Sequence, residues 1–280
     1  MSFLLALLAA LLGLGPPANE RDGGFTIALD GEAPDLPRIL GSRRADRPLV
    51  VLDAGHGGRD PGAVSPIGDR REKDVTLAVA TAIRDALAAS GRVRVAMTRE
   101  DDRFLVLRDR YEIARRLKAD LFISIHADAA PHNDDARGAT IYTLSEVASD
   151  REAALLAARE NRVDRLGDAP LGEDEGVNRI LIDLAQRESM NISADFAALL
   201  KREGSNYFPF RSDYHRFASL IVLKAPDIPS ILFESGYLTN DADTAYIHSA
   251  EGQTQIATGM RRAIEAHFAR RIVGERLAGR

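Results

Sequence analysis

The 280-residue chain has no cysteine and no tryptophan. The first absence excludes disulfides, Cys-type zinc fingers and thiolate catalysis. The second, with aromatic residues at only 6%, argues against a carbohydrate module that stacks sugars on aromatic rings. The phosphate-binding pattern G-x-x-x-x-G-K-[ST] is missing, as are an H-E-x-x-H helix and a G-x-S-x-G elbow, so the usual marks of nucleotide hydrolases, zincin proteases and serine hydrolases are lacking. The formal net charge is −5 with both signs spread widely, which gives no footprint for nucleic acid.

With 45% hydrophobic residues the chain can bury a sizeable core. Phe3–Leu14, "FLLALLAALLGL", is a continuous apolar run too short for an ordinary membrane span. It suits the h-region of a secretory leader, the alternative being a buried helix. The expected organisation is a leader-like segment over 1–18, a Gly/Pro-rich linker over 19–47, one folded domain over 48–272 and a frayed tail over 273–280. Export of this kind leaves no stable membrane span once the leader is removed.

Beyond Pro48, strand-like and helix-like stretches alternate. "PLVVLD", "VRVAMTR", "DLFISIHAD", "GATIYTL", "SLIVLK" and "PSILFESG" read as strands. "EKDVTLAVATAIRDALAAS", "LRDRYEIARRLKA" and a stretch from about Glu251 to Arg271 read as helices. The expected fold is α/β, a single domain with a mixed, mostly parallel central sheet flanked by helices. Residues 145–204 break the rhythm with two helical patterns and read as a helical insertion.

Three predicted strands end in a group suited to metal or acid–base chemistry: "VVLDAGH" at His56, "LFISIH" at His126 and "SILFE" at Glu234. Ligands of open α/β sheets bind beyond the carboxyl ends of the strands. A hydrolytic zinc site commonly has three protein ligands and an open position. Glu72, just before the helix that begins around Lys73 and after the "SPIGDRR" loop that could fold back over His56, is the natural third, and Glu234 fits the separate role of moving protons. Each residue has a plainer role open to it: a surface hydrogen bond for either histidine, a helix terminus for Glu72, a turn for Glu234. The glycines around His56 could simply build a tight turn. Arg108, Arg110, Arg115 and Arg116 mark a basic helix, read as a solvated face or a surface for anionic polymer. His132, His215 and His248 have no partner pattern and read as non-ligands.

"LDAGHGGRDPGA", "EKDVTLAVA", "VAMTREDD", "DLFISIHAD" and "VLKAPDIPSILFESGYLTN", in this order between Pro48 and Phe268, resemble the catalytic domain of the zinc-dependent N-acetylmuramoyl-L-alanine amidases of bacterial cell separation. The resemblance implies Zn2+ held by His56, Glu72 and His126, with Glu234 as catalytic glutamate. The implied reaction is hydrolysis of the amide between N-acetylmuramic acid and L-alanine of peptidoglycan, in the periplasm. It also implies that the helical insertion blocks the site through a glutamate until a LytM-domain activator displaces it. Glu160, in the apolar stripe of "SDREAALLAARENRVDRL", is the expected inhibitory ligand, since burial there needs an offsetting partner. Its alternative is an ion pair with Arg162, Arg165 or another nearby base. Glu152, Glu173 and Glu175 lie in more polar surroundings. Asp128 stands where the family often has asparagine. The alternative functions are a non-catalytic peptidoglycan-binding protein on the same fold and another zinc peptidase or deacetylase.

Overall fold

The computed structural model describes residues 36–162, apart from 67, 131, 132 and 134, and residues 179–278, with the side chains of 179–182 and 272–278 left aside. The leader segment, His132, Glu173 and Glu175 lie outside the described residues. The strands are β1 (Leu40–Gly41), β2 (Leu49–Ala54), β3 (Arg94–Met97), β4 (Leu121–Asp128), β5 (Ala139–Leu144), β6 (Phe210–Ala218) and β7 (Ser230–Tyr237). The helices are α1 (Glu72–Ser90), α2 (Leu107–Arg116), α3 (Arg151–Glu160), α4 (Arg179–Gly204), α5 (Asp241–His248) and α6 (Ala250–Ala278).

The strands form one sheet in the order β1-β3-β2-β4-β7-β5-β6. β3, β2, β4 and β7 run parallel to one another, β1 is antiparallel to β3, β5 is antiparallel to β7, and β6 is parallel to β5. The sheet is therefore mixed and mostly parallel, as expected. Every residue of β2, β4 and β7 is buried, which explains why these strands read as near-continuous apolar runs: helices cover both faces.

Alternation along the strands divides the interior into two cores. Val50, Leu52, Ile123, Ile125, Ile231 and Phe233 face the first, with Val79 and Ile83 of α1, Phe196 and Leu200 of α4, and Met260 and Ile264 of α6. Val51, Phe122 and Leu232 face the second, with Leu107 and Ala114 of α2 and Ala153, Leu156 and Ala157 of α3. The latter half of α4 is thus a core helix of the domain.

Three local expectations are corrected. "SLIVLK" is no strand: Ile221–Leu223 form a 3-10 turn, and the apolar run reflects Leu220, Val222 and Leu223 packing into the second core. The strand on that edge is β6, "FRSDYHRFA", which pairs on one side only and keeps polar, partly exposed residues. At the carboxyl end, α6 continues to Ala278, past the expected end of helix near Arg271. In the stretch read as linker, Leu40–Gly41 pair with β3.

Candidate metal centre

β2 delivers its chain to the sheet edge at Ala54, where Gly55 N still donates to Ile125 O at 3.0 Å. His56 then turns with φ +60°, a left-handed conformation uncommon for a side-chain-bearing residue. The neighbouring glycines answer to space. A Cβ on Gly55 would sit 2.5 Å from the His126 ring, and one on Gly62, at φ +68°, would meet Glu72 at 2.6 Å and His56 at 2.7 Å. The glycine-rich turn therefore exists because two imidazoles and a carboxylate close directly on its backbone.

His56 Nδ1–H donates to Asp60 Oδ2 at 2.7 Å, which fixes the tautomer and turns Nε2 toward the centre. Glu72, the first residue of α1, places Oε1 at 3.0 Å from both His56 Nε2 and His126 Nδ1. The same oxygen accepts from Ala127 N at 3.0 Å, and Oε2 accepts from Ala63 N at 2.8 Å. Glu160, the last residue of α3, brings Oε2 within 3.4 Å of His56 Nε2 and of His126 Nδ1. The two rings meet edge to face with centroids 4.8 Å apart. Glu234 lies across from His126 in the β4–β7 register. It is fully buried, and neither of its oxygens has a hydrogen-bond partner among the described residues.

Thus the five sequence-predicted residues converge, four of them within hydrogen-bond or ion-pair reach of one another. One donor atom each from His56, His126 and Glu160 lie within 4.8 Å of one another, all three residues buried. His56 Nε2 faces Glu72 at 3.0 Å and Glu160 at 3.4 Å, but the atom makes no hydrogen bond among the described residues. Two buried carboxylates pressed against two imidazoles, one with an orphaned nitrogen, form a donor set that fits a divalent cation of the zinc type.

The electrostatics agree with that fit. Burial acts against protonation of His56, but Glu72, Glu160 and Asp60 outweigh it and push the ring up to about 10 in the metal-free chain. Burial also acts against the Glu72 carboxylate, yet His56 and His126 hold it well below the ordinary range. Glu234 goes the other way: burial first, then the charges of Asp128, Glu72 and Glu160, drive it well above the carboxylate range. Burial raises Asp128 to about 6, against the pull of Arg159.

Several neighbours were not singled out as site residues from the sequence. Asp60 orients His56, and its position four residues on, inside the same turn, was the available signal. Arg110 is a correction: expected on a basic solvated face, it is 1% exposed and pairs with Asp53 at 2.9 Å, a partner that spacing along the helix cannot reveal. Arg115 on the same helix pairs with Asp227 and Glu112, both at 2.9 Å. Arg159 donates to Asp128, Ala129 O and Glu160. Glu152 pairs with Arg211 away from the centre. His215 hydrogen-bonds Thr143, and His248 the carbonyl of Thr244.

A buried His/His/Glu/Glu cluster at the carboxyl ends of parallel strands defines an α/β domain with a candidate metal centre. The family model described as N-acetylmuramoyl-L-alanine amidase matches residues 50–266, and the chain belongs to that family. It is 36% identical over 234 residues to N-acetylmuramoyl-L-alanine amidase AmiC of Neisseria meningitidis, a match covering 82% of this chain and 56% of that protein. It is also 36% identical over 222 residues to AmiA of Escherichia coli, covering 79% of this chain and 76% of that one. The chain thus spans just over half the length of the AmiC relative. The solved structure of N-acetylmuramoyl-L-alanine amidase AmiC2 of Nostoc punctiforme superposes with a TM-score of 0.57 at 26% identity, covering 79% of this chain and 97% of that one.

Proposed function

We propose that the protein is a zinc-dependent amidase that hydrolyses the bond between N-acetylmuramic acid and L-alanine in peptidoglycan, during wall remodelling and daughter-cell separation. We further propose that α3 holds it inactive. The observation that carries this reading is the convergence of His56, Glu72, His126 and Glu160 beside a buried, unpartnered Glu234. His56, Glu72 and His126 would hold the ion, and Glu160 would fill the position that substrate needs. A bound zinc ion supplies Lewis-acid polarisation of the scissile carbonyl.

The chain's own groups do the rest. Hydrolysis forms a bond from the oxygen of water to the carbonyl carbon and breaks the C–N bond. Glu234 receives the proton that water gives up at its carboxylate oxygen and passes it to the departing nitrogen of L-alanine. Burial and three acidic neighbours raise this carboxyl in the metal-free chain; a bound cation would oppose that rise and leave the carboxylate free to take the proton. Asp60 keeps the His56 ring in its tautomer throughout.

Relatives named as N-acetylmuramoyl-L-alanine amidases support the substrate class. Export to the periplasm is supported by the apolar run Phe3–Leu14, and among the described residues no helix is long and apolar enough to cross a membrane. An activator, a LytM-domain protein on this reading, would draw α3 away from the sheet.

Dye release from purified peptidoglycan, with metal content measured in parallel, tests the proposal on the full chain and on Glu160→Ala. A nearly inert parent and an active variant, both holding zinc, are expected. Equal activity would remove the inhibitory role of Glu160. Inactivity of both with zinc bound would favour a wall-binding protein.

A further inference from the structure

We propose that Arg99 and Arg110 are positioning residues for the metal centre: two buried guanidinium groups that clamp the backbone on which His56 stands. The proposal rests on the metal reading above. Three successive carbonyls of the ligand turn are captured by them. Arg99 Nε donates to Ala54 O and Arg99 Nη2 to Gly55 O, each at 2.8 Å. Arg110 Nη1 donates to Ala54 O at 2.9 Å, and Arg110 Nη2 donates to His56 O at 2.8 Å.

Each guanidinium also reaches out of the turn. Arg99 Nη2 donates to Lys73 O at 2.9 Å, joining the turn to the start of α1 just after Glu72. Arg110 donates to Leu105 O and to Asp53. Lys73 extends the pattern by donating from Nζ to Gly58 O at 2.9 Å.

Burial makes this arrangement expensive unless it is used. Arg99 is 0% and Arg110 1% exposed, and among the described residues no carboxylate lies within ion-pair distance of Arg99. A buried cation is tolerated when its hydrogen bonds are satisfied, and Arg99 is compensated by the carbonyls of Ala54 and Gly55 in the turn together with Lys73 O, Asp101 O and Thr76 Oγ1 outside it. A lysine could not substitute, because only the planar fork presents several fixed donors to adjacent carbonyls. The clamp also offsets the left-handed backbone of His56, a conformation that persists when the surroundings over-determine it. Neither arginine contacts the donor atoms of the centre; both act through the direction in which they hold His56.

The test uses the full chain, free of metal and then titrated with zinc against a chelator. The variants are Arg110→Lys and Arg99→Lys, with Ile113→Ala as a control that removes buried volume from α2 but no hydrogen bond to the turn. The amides of Gly55, Gly57, Gly58 and Asp60 are hydrogen-bonded, so hydrogen exchange over residues 54–60 reports the turn directly. At a temperature where circular dichroism shows every protein folded, either lysine variant is expected to exchange faster over 54–60 and to bind zinc about 10-fold or more weakly. Ile113→Ala should lose thermal stability while leaving both readouts unchanged. Unchanged exchange in the lysine variants, or equal acceleration in Ile113→Ala, would overturn the clamp. If the parent itself takes up no zinc, the metal reading falls, and exchange over 54–60 still decides the clamp.

Discussion

Arg159 Nη2 donates to Asp128 Oδ1 at 2.6 Å, so the helix that ends at Glu160 is tied to the strand that carries His126. Arg159 also reaches Ala129 O at 3.1 Å and Glu160 Oε1 at 3.1 Å. One side chain thus fixes the helix end and steadies the carboxylate beside it. Both partners can carry charge, so the tie is an ion pair.

Removal of that tie should loosen α3. Arg159→Ala is expected to raise basal peptidoglycan dye release several-fold without activator, since breaking a part-buried charge pair weakens the closed state by roughly 1–3 kcal/mol. Asp128→Asn, which keeps a neutral acceptor, should produce a smaller rise. Basal rates at or below the parent's in both variants would detach Arg159 from inhibition.

Glu234→Gln separates proton handling from metal binding. Turnover of the activated enzyme should fall about 100-fold or more, while zinc affinity from chelator competition stays near the parent's. Stability gives an independent sign. A carboxyl whose folded pKa lies above its unfolded value costs stability progressively as pH rises from the unfolded value through the folded one, and Glu234 is raised. The metal-free glutamine variant should therefore melt at a higher temperature than the parent at neutral pH.

On the proposed metal reading, His56 would make zinc binding a proton exchange. In the metal-free chain its folded pKa is about 10 against an ordinary 6.5. The stability it contributes is complete below the lower value and is lost as pH rises through the upper one. An ion bound by His56 would have to displace that proton. Below the upper value, apparent zinc affinity should rise with pH, by about tenfold per unit for each proton released. A flat affinity across neutral pH would show that His56 is already neutral.

Gly62→Ala probes the closeness of the turn. Its Cβ would lie 2.6 Å from Glu72 and 2.7 Å from His56, at a φ of +68°. Strain at a left-handed position costs about 1–3 kcal/mol, so the variant should melt several degrees lower and bind zinc more weakly. Parent-like values for both would mean that the turn yields.

The sequence-based reading went furthest where both faces of a strand are buried. β2, β4 and β7 announce themselves as apolar runs, and their terminal His56, His126 and Glu234 follow. β6 stayed hidden because an edge strand keeps Arg211, Asp213 and Arg216 beside its aromatics, while the apolar "SLIVLK" fills the second core as a turn. Glu160 was legible as an acid in an apolar stripe. Arg110 was not, because its burial depends on Asp53, which stands 57 residues away in sequence.

The two-core interior bears on how the site would open if α3 inhibits it as proposed. α3 gives only Ala153, Leu156 and Ala157 to the second core and nothing to the first. Much of the rest of its attachment runs through charges: Asp150 to Arg216, Glu152 to Arg211, Arg159 to Asp128. A helix moored this way can come off without melting the main body of the domain, and dissolved ions compete for its moorings. Ionic strength would then act as a weak activator in its own right, leaving a protein partner only the remaining hydrophobic grip to overcome.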